Sequence, residues 1–488
     1  MKSFVLTAFL FMTASVWCPF AAMAGSDSDS QGTVRGNSDS EQGEQGTRLR
    51  ARQAPADALV EGATQAPAPI DAKESGKPGE TLAERFSMDF RALAYSTLQE
   101  PSYSTLNPGN NFLQIPRYLA DLELRPDMRF NLDPLDLTAK PRLRLEYSAW
   151  NGAGMRESGA KWDDDWYVNE WLARLKVRTN LFVSYGRENL QWGPSFLFSP
   201  SNPFFPDNGR RNPYLEVPGS DFARLVWIPA SSWTVSFIAN TEEGRNKPVG
   251  PEPFEKTYAV KVDYTGRENY ASLILSHKEQ VGNTVGFLGG WTVSEAVLVY
   301  AEGAVSEGDQ ALYPDRNRSP LGASMQQIYR DSTSLKPVLL VGGSYTFESK
   351  GTMTMEYAYN GQGYSDAQAE SYYALRRRAA AFLSSGNIIS GLGQMTLGQA
   401  AAMGLRFLRR NYGLLQYTQN NIRNVLDLTL RWTQNLDDGS CQFTTLVTYS
   451  LGNHVELFSV GTINGGGNNT EFRSILDYQW MMGIKYTF

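Results

Sequence analysis

From Phe86 to the C-terminus, apolar and polar residues alternate with a period of two, and this restricts the fold of the 488-residue chain most tightly. The clearest run is the last, where Tyr478, Trp480, Met482, Ile484, Tyr486 and Phe488 alternate with Gln479, Met481, Gly483, Lys485 and Thr487. Successive side chains of a strand point to opposite faces, so such a run makes one face apolar and the other polar. The pattern recurs in Leu143, Leu145 and Tyr147 around Arg144 and Glu146, and in Leu426, Leu428, Leu430 and Trp432 around Asp427, Thr429 and Arg431. The apolar faces carry Tyr and Trp at their ends, and the opposite faces carry charge. A soluble sandwich turns its apolar face inward and has little use for so many arginines opposite it. A transmembrane antiparallel β-barrel needs the reverse order, apolar outside and polar inside.

Connection lengths give a second, independent constraint. The alternation marks about 18 strands between Phe86 and Phe488, with 16 as the fallback count. With both termini in the periplasm, even-numbered connections are short turns and odd-numbered ones can be long. Thr179-Asn180, Pro229–Ser231, Val293-Ser294, Glu348–Lys350 and Gly452-Asn453 are short, and 131–140 is the longest of this set. Residues 97–117, 189–221, 305–335 and 360–411 fall on the opposite side, where only 278–283 and 435–440 are brief.

The first 24 residues read as a secretory signal, with Lys2, an apolar run from Phe4 to Trp17 and a small-x-small site at Ala22-Met23-Ala24. Residues 25–85 are rich in Gly, Ser, Asp, Glu, Gln, Ala and Pro, a composition too poor in apolar area to offset its ordering entropy, and are expected to form a disordered periplasmic leader. No run of about 18 apolar residues follows, so no helix is expected to span a bilayer. Cleavage of the signal leaves Cys441 as the one cysteine, which excludes an internal disulfide.

Little in the chain points to catalysis. His277 and His454 are the two histidines, and Ser276 beside His277 would face the other side of its strand. Asp163-Asp164-Asp165 could offer oxygens to calcium but reads more simply as a solvated acidic loop. No metal-ligand spacing, phosphate loop or haem-attachment motif occurs, so neither cofactor nor enzyme activity is expected, nor nucleic-acid binding. The lumen-facing parity is more informative. It places Arg142, Arg144, Arg174, Lys176 and Arg178 on the third and fourth strands, opposite Asp121 and Glu123 on the second. Such rows either set a transverse field for polar solutes or neutralise each other as ion pairs. Residues 189–221 form the third outer loop, whose Trp192, Phe204 and Phe205 need burial and whose Gly193 and Pro194 bend it. We expect it to fold into the lumen as a constriction, bringing Arg210 and Arg211 against the Arg142, Arg144 and Arg174 rows or their acidic partners. The helical pattern of 366–410, broken at Gly386 to Gly393, suits a loop that caps the mouth, with a lumen plug as the alternative.

The stretch Gly186-Arg187-Glu188-Asn189-Leu190-Gln191-Trp192-Gly193-Pro194, continuing to Ser199-Pro200-Ser201-Asn202-Pro203, resembles a strand-end motif of capsule-assembly, alginate-export-like and porin-like outer-membrane barrels. Ending on Phe488 resembles the terminal signal read by the barrel-assembly machinery. The resemblance implies a bacterial outer-membrane barrel in contact with lipid that binds or passes polysaccharide or small polar solutes. The expected function is a porin-like channel for small polar or anionic solutes. An acidic-polysaccharide barrel and a sheath around a periplasmic partner are the alternatives.

Overall fold

The computed structural model describes residues 84–488, apart from 151–158, 206, 208, 247–253, 310, 316–323, 328–333, 386–388 and 468. The expected signal at 1–24 and nearly all of the expected leader at 25–85 lie outside the described residues. The strands are β1 (Phe86–Pro101), β2 (Tyr118–Asn131), β3 (Leu135–Trp150), β4 (Gly159–Arg178), β5 (Leu181–Glu188), β6 (Ser220–Ala230), β7 (Trp233–Glu242), β8 (Thr257–Thr265), β9 (Asn269–Lys278) and β10 (Gly282–Ser294). There follow β11 (Val297–Ser306), β12 (Leu312–Asp315), β13 (Ser324–Gln327), β14 (Lys336–Thr346), β15 (Gly351–Asn360), β16 (Asn411–Ile422), β17 (Leu426–Asn435), β18 (Cys441–Leu451), β19 (Val455–Gly465) and β20 (Leu476–Thr487).

All but β12 and β13 join one 18-stranded sheet in which each strand pairs with its chain neighbours. The sheet closes where β1 pairs with both β2 and β20, antiparallel on each side. Closure satisfies every strand edge, which a spanning structure requires in hydrocarbon. Leu273, Leu339, Val341, Leu415 and Ile484 stand exposed on the outer face, with Trp233, Trp291, Tyr258 and Tyr357 toward its two rims. Even strand number, closure and an apolar exterior with aromatic rims define a transmembrane barrel of the outer-membrane type.

Two local readings are corrected. The expected long turn at 131–140 shrinks to residues 132–134, because β3 begins at Leu135 and runs through Pro141. A register shift at Lys140/Pro141 accommodates the missing N–H. Asp163, Asp164 and Asp165 lie within β4, not in a loop, on an exposed part of the strand that pairs with Arg144, Leu145 and Glu146.

At the long-loop end a lid covers the mouth. Its helix α1 (Asp366–Leu383) starts at Ser365, whose hydroxyl accepts from Gln368 N–H while the Gln368 side chain accepts from Ser365 N–H. Helix α2 (Ile389–Ala401) takes in Gly391 and Gly393, so part of the expected Gly-rich break is helical. Tyr364, Tyr372 and Leu375 around α1 pack with Leu106 of the first loop and with Leu312, Tyr313 and Met325 of the β12–β13 hairpin. The segment caps the mouth by joining neighbouring loops.

Candidate functional site: the crossed lumen

Residues 189–219 leave β5 and cross the interior. Two wall carboxylates anchor their first half. Glu356 on β15 accepts from Ser195 Oγ (2.9 Å), Phe196 N–H (2.7 Å), Leu197 N–H (3.0 Å) and the Tyr300 hydroxyl (2.6 Å). Glu302 on β11, fully buried, accepts from the Ser199 hydroxyl and from Ser201 Oγ (2.7 Å) and N–H (3.2 Å). Charged acceptors make such bonds stronger than neutral ones. Gly193 has φ +97°, and a Cβ there would lie 2.5 Å from Glu302 Oε2, so only glycine fits. The Ser-Pro-Ser-Asn-Pro motif thus works locally: Ser199 and Ser201 hold Glu302, and Asn202 Oδ1 accepts from Phe204 N–H (3.0 Å) and Phe205 N–H (3.1 Å).

The loop's aromatics divide the lumen. Trp192, Phe204 and Phe205 pack on Phe222, Ile238, Ala259, Ile274 and Leu288 from β6 to β10. Phe204 meets Trp192 and Phe222 edge-on, with centroids 6.0 and 5.0 Å away. Buried rings each contribute roughly 1.5–3 kcal/mol, and this side of the interior is filled. Charges there are paired, Lys261 with Asp263 and Arg224 with Glu188.

The second half of the loop reaches the opposite wall. Arg431 Nη2 on β17 donates to the Arg210 carbonyl (3.0 Å). Tyr214 stacks on Phe458 of β19 at 3.8 Å and bonds Thr448 of β18 (2.5 Å), while its carbonyl accepts from Arg125 Nη2 (2.9 Å). Glu216 takes a bidentate bond from Arg142 (2.7 and 2.8 Å). Burial alone would raise the pKa of Glu216, but the Arg142 bonds and the Arg125 charge outweigh it and hold the carboxyl below its ordinary value.

Arg210 and Arg211 do not meet the Arg142, Arg144 and Arg174 rows. Arg210 turns back on its own loop, donating to the carbonyls of Pro194 (2.5 Å) and Ser195 (3.3 Å). Arg211 lies over Phe407, 5.5 Å from the ring centroid. It is Glu216, missed in the sequence, that answers Arg142. An acid in a loop carries no strand parity, so no signal assigned it to the lumen. Asp121 and Glu123 pair with Arg144 (2.6 Å) and Arg125 (2.5 Å). Arg174 pairs with Asp136 (3.1 Å), and Lys176 and Arg178 lie exposed at the periplasmic end of β4, away from the loop. The rows on β2 and β3 therefore largely neutralise one another.

A cavity of about 310 Å³ remains between the loop and the wall formed by β17 to β20 and β1 to β3. Thr97, Thr433, Gln442, Thr444, Thr462 and Gln479 give it hydroxyl and amide groups, and Asp121, Arg144, Arg211 and Arg431 give it charge. Among the described residues, neither Arg211 nor Arg431 has a carboxylate within ion-pair distance. Arg431 Nε donates to Gln416 (2.7 Å), and its guanidinium lies 5.5 Å from the Phe196 ring centroid. Burial, then the Arg406 charge, pushes the pKa of Arg211 down, yet a guanidinium remains charged near neutrality. Two cations without a carboxylate at ion-pair distance border the cavity, with Asp207 and Glu356 acting on them from farther off.

No family model matches the chain, and no curated protein matches it. Among solved structures, the outer membrane protein OprD from Pseudomonas aeruginosa aligns at a TM-score of 0.49 with 7 % identity, over 83 % of this chain and 94 % of that one. A triple mutant of the Rhodopseudomonas blastica porin aligns at 0.39 with 10 % identity, over 83 % of this chain and 100 % of that one. The assignment as a transmembrane barrel rests on closure, strand count and the apolar exterior described above.

Proposed function

We propose that the chain is an outer-membrane channel for small polar solutes that favours anions, with residues 189–219 as its constriction. The observation that carries this is the cavity of about 310 Å³ with Arg211 and Arg431 on its border and, among the described residues, no carboxylate within ion-pair distance of either. Fixed cations in a narrow, low-dielectric path lower the energy of an anion there and raise that of a cation. The volume is at the lower end of small-molecule sites, room for one compact solute at a time. A polysaccharide-export barrel, or a sheath around a periplasmic partner, would need an open bore, whereas the 189–219 crossing leaves none that wide. Phe488, exposed at the end of β20, supports recognition by the assembly machinery.

Reconstitution in planar bilayers tests the reading. Small single-channel steps with reversal potentials that favour anions are expected. A silent barrel, or one selective for cations, would refute the anion channel.

A further inference from the structure

Arg376 sits on α1 inside the lid, 0 % exposed, between the rings of Tyr372 and Tyr373, each centroid 5.3 Å from its guanidinium. Its Nη1 donates to Ser474 Oγ (3.0 Å) in the loop before β20, while Nε and Nη2 have no partner. Two neighbouring arginines also have nitrogens without a hydrogen-bond partner, but each has a carboxylate at ion-pair distance. Arg406 reaches Asp207 at 2.8 Å, and Arg409 is paired with Asp366. The nearest carboxylates in this region are already engaged. Glu471 accepts from Leu408 N–H, Tyr412 and Asn435, and Asp438 from Ser440 and Glu471 N–H. A guanidinium does not shed its proton to escape burial, and an isolated buried charge is far costlier than a neutral polar group. Two of the buried hydroxyls that lack a partner are Tyr373 Oη and Ser102 Oγ. Both residues are neighbours of Arg376, since its guanidinium lies over the Tyr373 ring and Ser102 N–H donates to the carbonyl of Ile475, next to Ser474.

We propose that these groups bind one small monovalent anion of chloride's size, held by Arg376 Nε and Nη2 with the Tyr373 and Ser102 hydroxyls as further donors. The chemistry selects the ligand. The two open guanidinium nitrogens offer only donors and a positive charge, and the hydroxyls can turn their protons to match, so the site takes an acceptor with negative charge. The surroundings are the apolar lid core of Leu106, Tyr364 and Leu375, which disfavours a strongly hydrated divalent anion. None of the donor groups borders the lumen cavity, so the site is separate from the solute path. The bound ion ties α1 to the first loop and to the loop before β20, and the lid holds more firmly in its presence.

The full-length barrel in detergent provides the test. Crystals soaked in sodium bromide are expected to show an anomalous peak within hydrogen-bonding distance of the Arg376 guanidinium. A carboxylate swung into that place, or a position without anomalous signal, would overturn the proposal. Hydrogen exchange of the α1 amides gives a second readout at equal ionic strength. Exchange should be about tenfold faster in sodium gluconate than in sodium chloride at ten times the chloride Kd. In Arg376→Met the two salts should give the same rate. Equal rates in the unmodified protein, or a chloride effect that survives in the variant, would refute the site.

Discussion

The lumen faces of β6 to β10 gather Phe222, Ile238, Ala259, Ile274 and Leu288 beside the paired Lys261 and Asp263, whereas those of β17 to β20 and β1 to β3 line a cavity with Arg431, Thr433, Gln442, Thr462, Gln479, Asp121 and Arg144 next to a smaller apolar cluster at Phe458 and Met481. The outer faces of both halves are apolar. The inner difference decides what one loop can do. Its aromatic first half finds a matching dry wall and fills it, and its polar second half meets a wall of hydroxyls, amides and charges where water can stay. A strand's outward parity is dictated by lipid, while its inward parity is free to carry function. The lesson is that occupancy of a barrel is set by complementarity between a loop and one arc of the wall, not by barrel width alone.

Removing the loop should erase this contrast. Deletion of 194–213 is expected to raise single-channel conductance several-fold, since both the filled and the open side lose their inner boundary. Conductance unchanged by the deletion would place the resistance in the lid.

Charge reversal on the open side should act next most strongly. Arg211→Glu with Arg431→Glu should turn anion preference into cation preference, on the order of a tenfold change in permeability ratio, read from reversal potentials. Arg210→Glu is expected to behave differently, because Arg210 holds the carbonyls of Pro194 and Ser195 and its loss loosens the loop. Equal effects at 210 and 211 would contradict this division of roles.

On the filled side, Phe204→Ala should destabilise the fold by about 3 kcal/mol in urea titration while leaving ion preference intact. A changed permeability ratio there would show that solutes also travel along β6 to β10.

The smallest effect concerns pH at the lid. Burial pushes the Glu471 carboxyl up to about 7, and its hydrogen bonds from Tyr412 and the Leu408 N–H only partly oppose that. A carboxyl raised in the fold binds its proton more tightly than in the unfolded chain, so its contribution is complete below the ordinary carboxylate value and falls as pH rises toward 7. Hydrogen exchange of residues 407–412 should therefore be slower at pH 5 than at pH 8, after correction for intrinsic rates. Glu471→Gln should flatten that difference.

The strands were legible because a period of two has one physical reading when the alternate face is lipid. Leu426 to Trp432 and Tyr478 to Phe488 were assigned to strands, and β17 and β20 occupy those places. Residues 135–140 and Asp163 to Asp165 were missed as strand for a local reason, since an acid run weighs against strands by propensity while solvent exposure lets it in, and the extension before Pro141 depends on a register shift that the pattern does not record. The site was only partly legible. Arg431 and Glu356 show their inward parity in the sequence, but which loop atoms they meet depends on a crossing that no spacing records. Glu302 was missed, although it is the single charge on its lumen face of β11, between Tyr300 and Ala304.

The crossing of residues 189–219 also bears on how the molecule is made. The segment lies between β5 and β6 in the chain, yet it is held by Arg431 of β17, Thr448 of β18 and Phe458 of β19, and Asn212 reaches Met481 of β20. These contacts exist only once the late strands stand opposite β5 and β6, so the loop is held on both sides only in the closed wall. The early half of the chain thus supplies part of the inner surface on which the last strands pack.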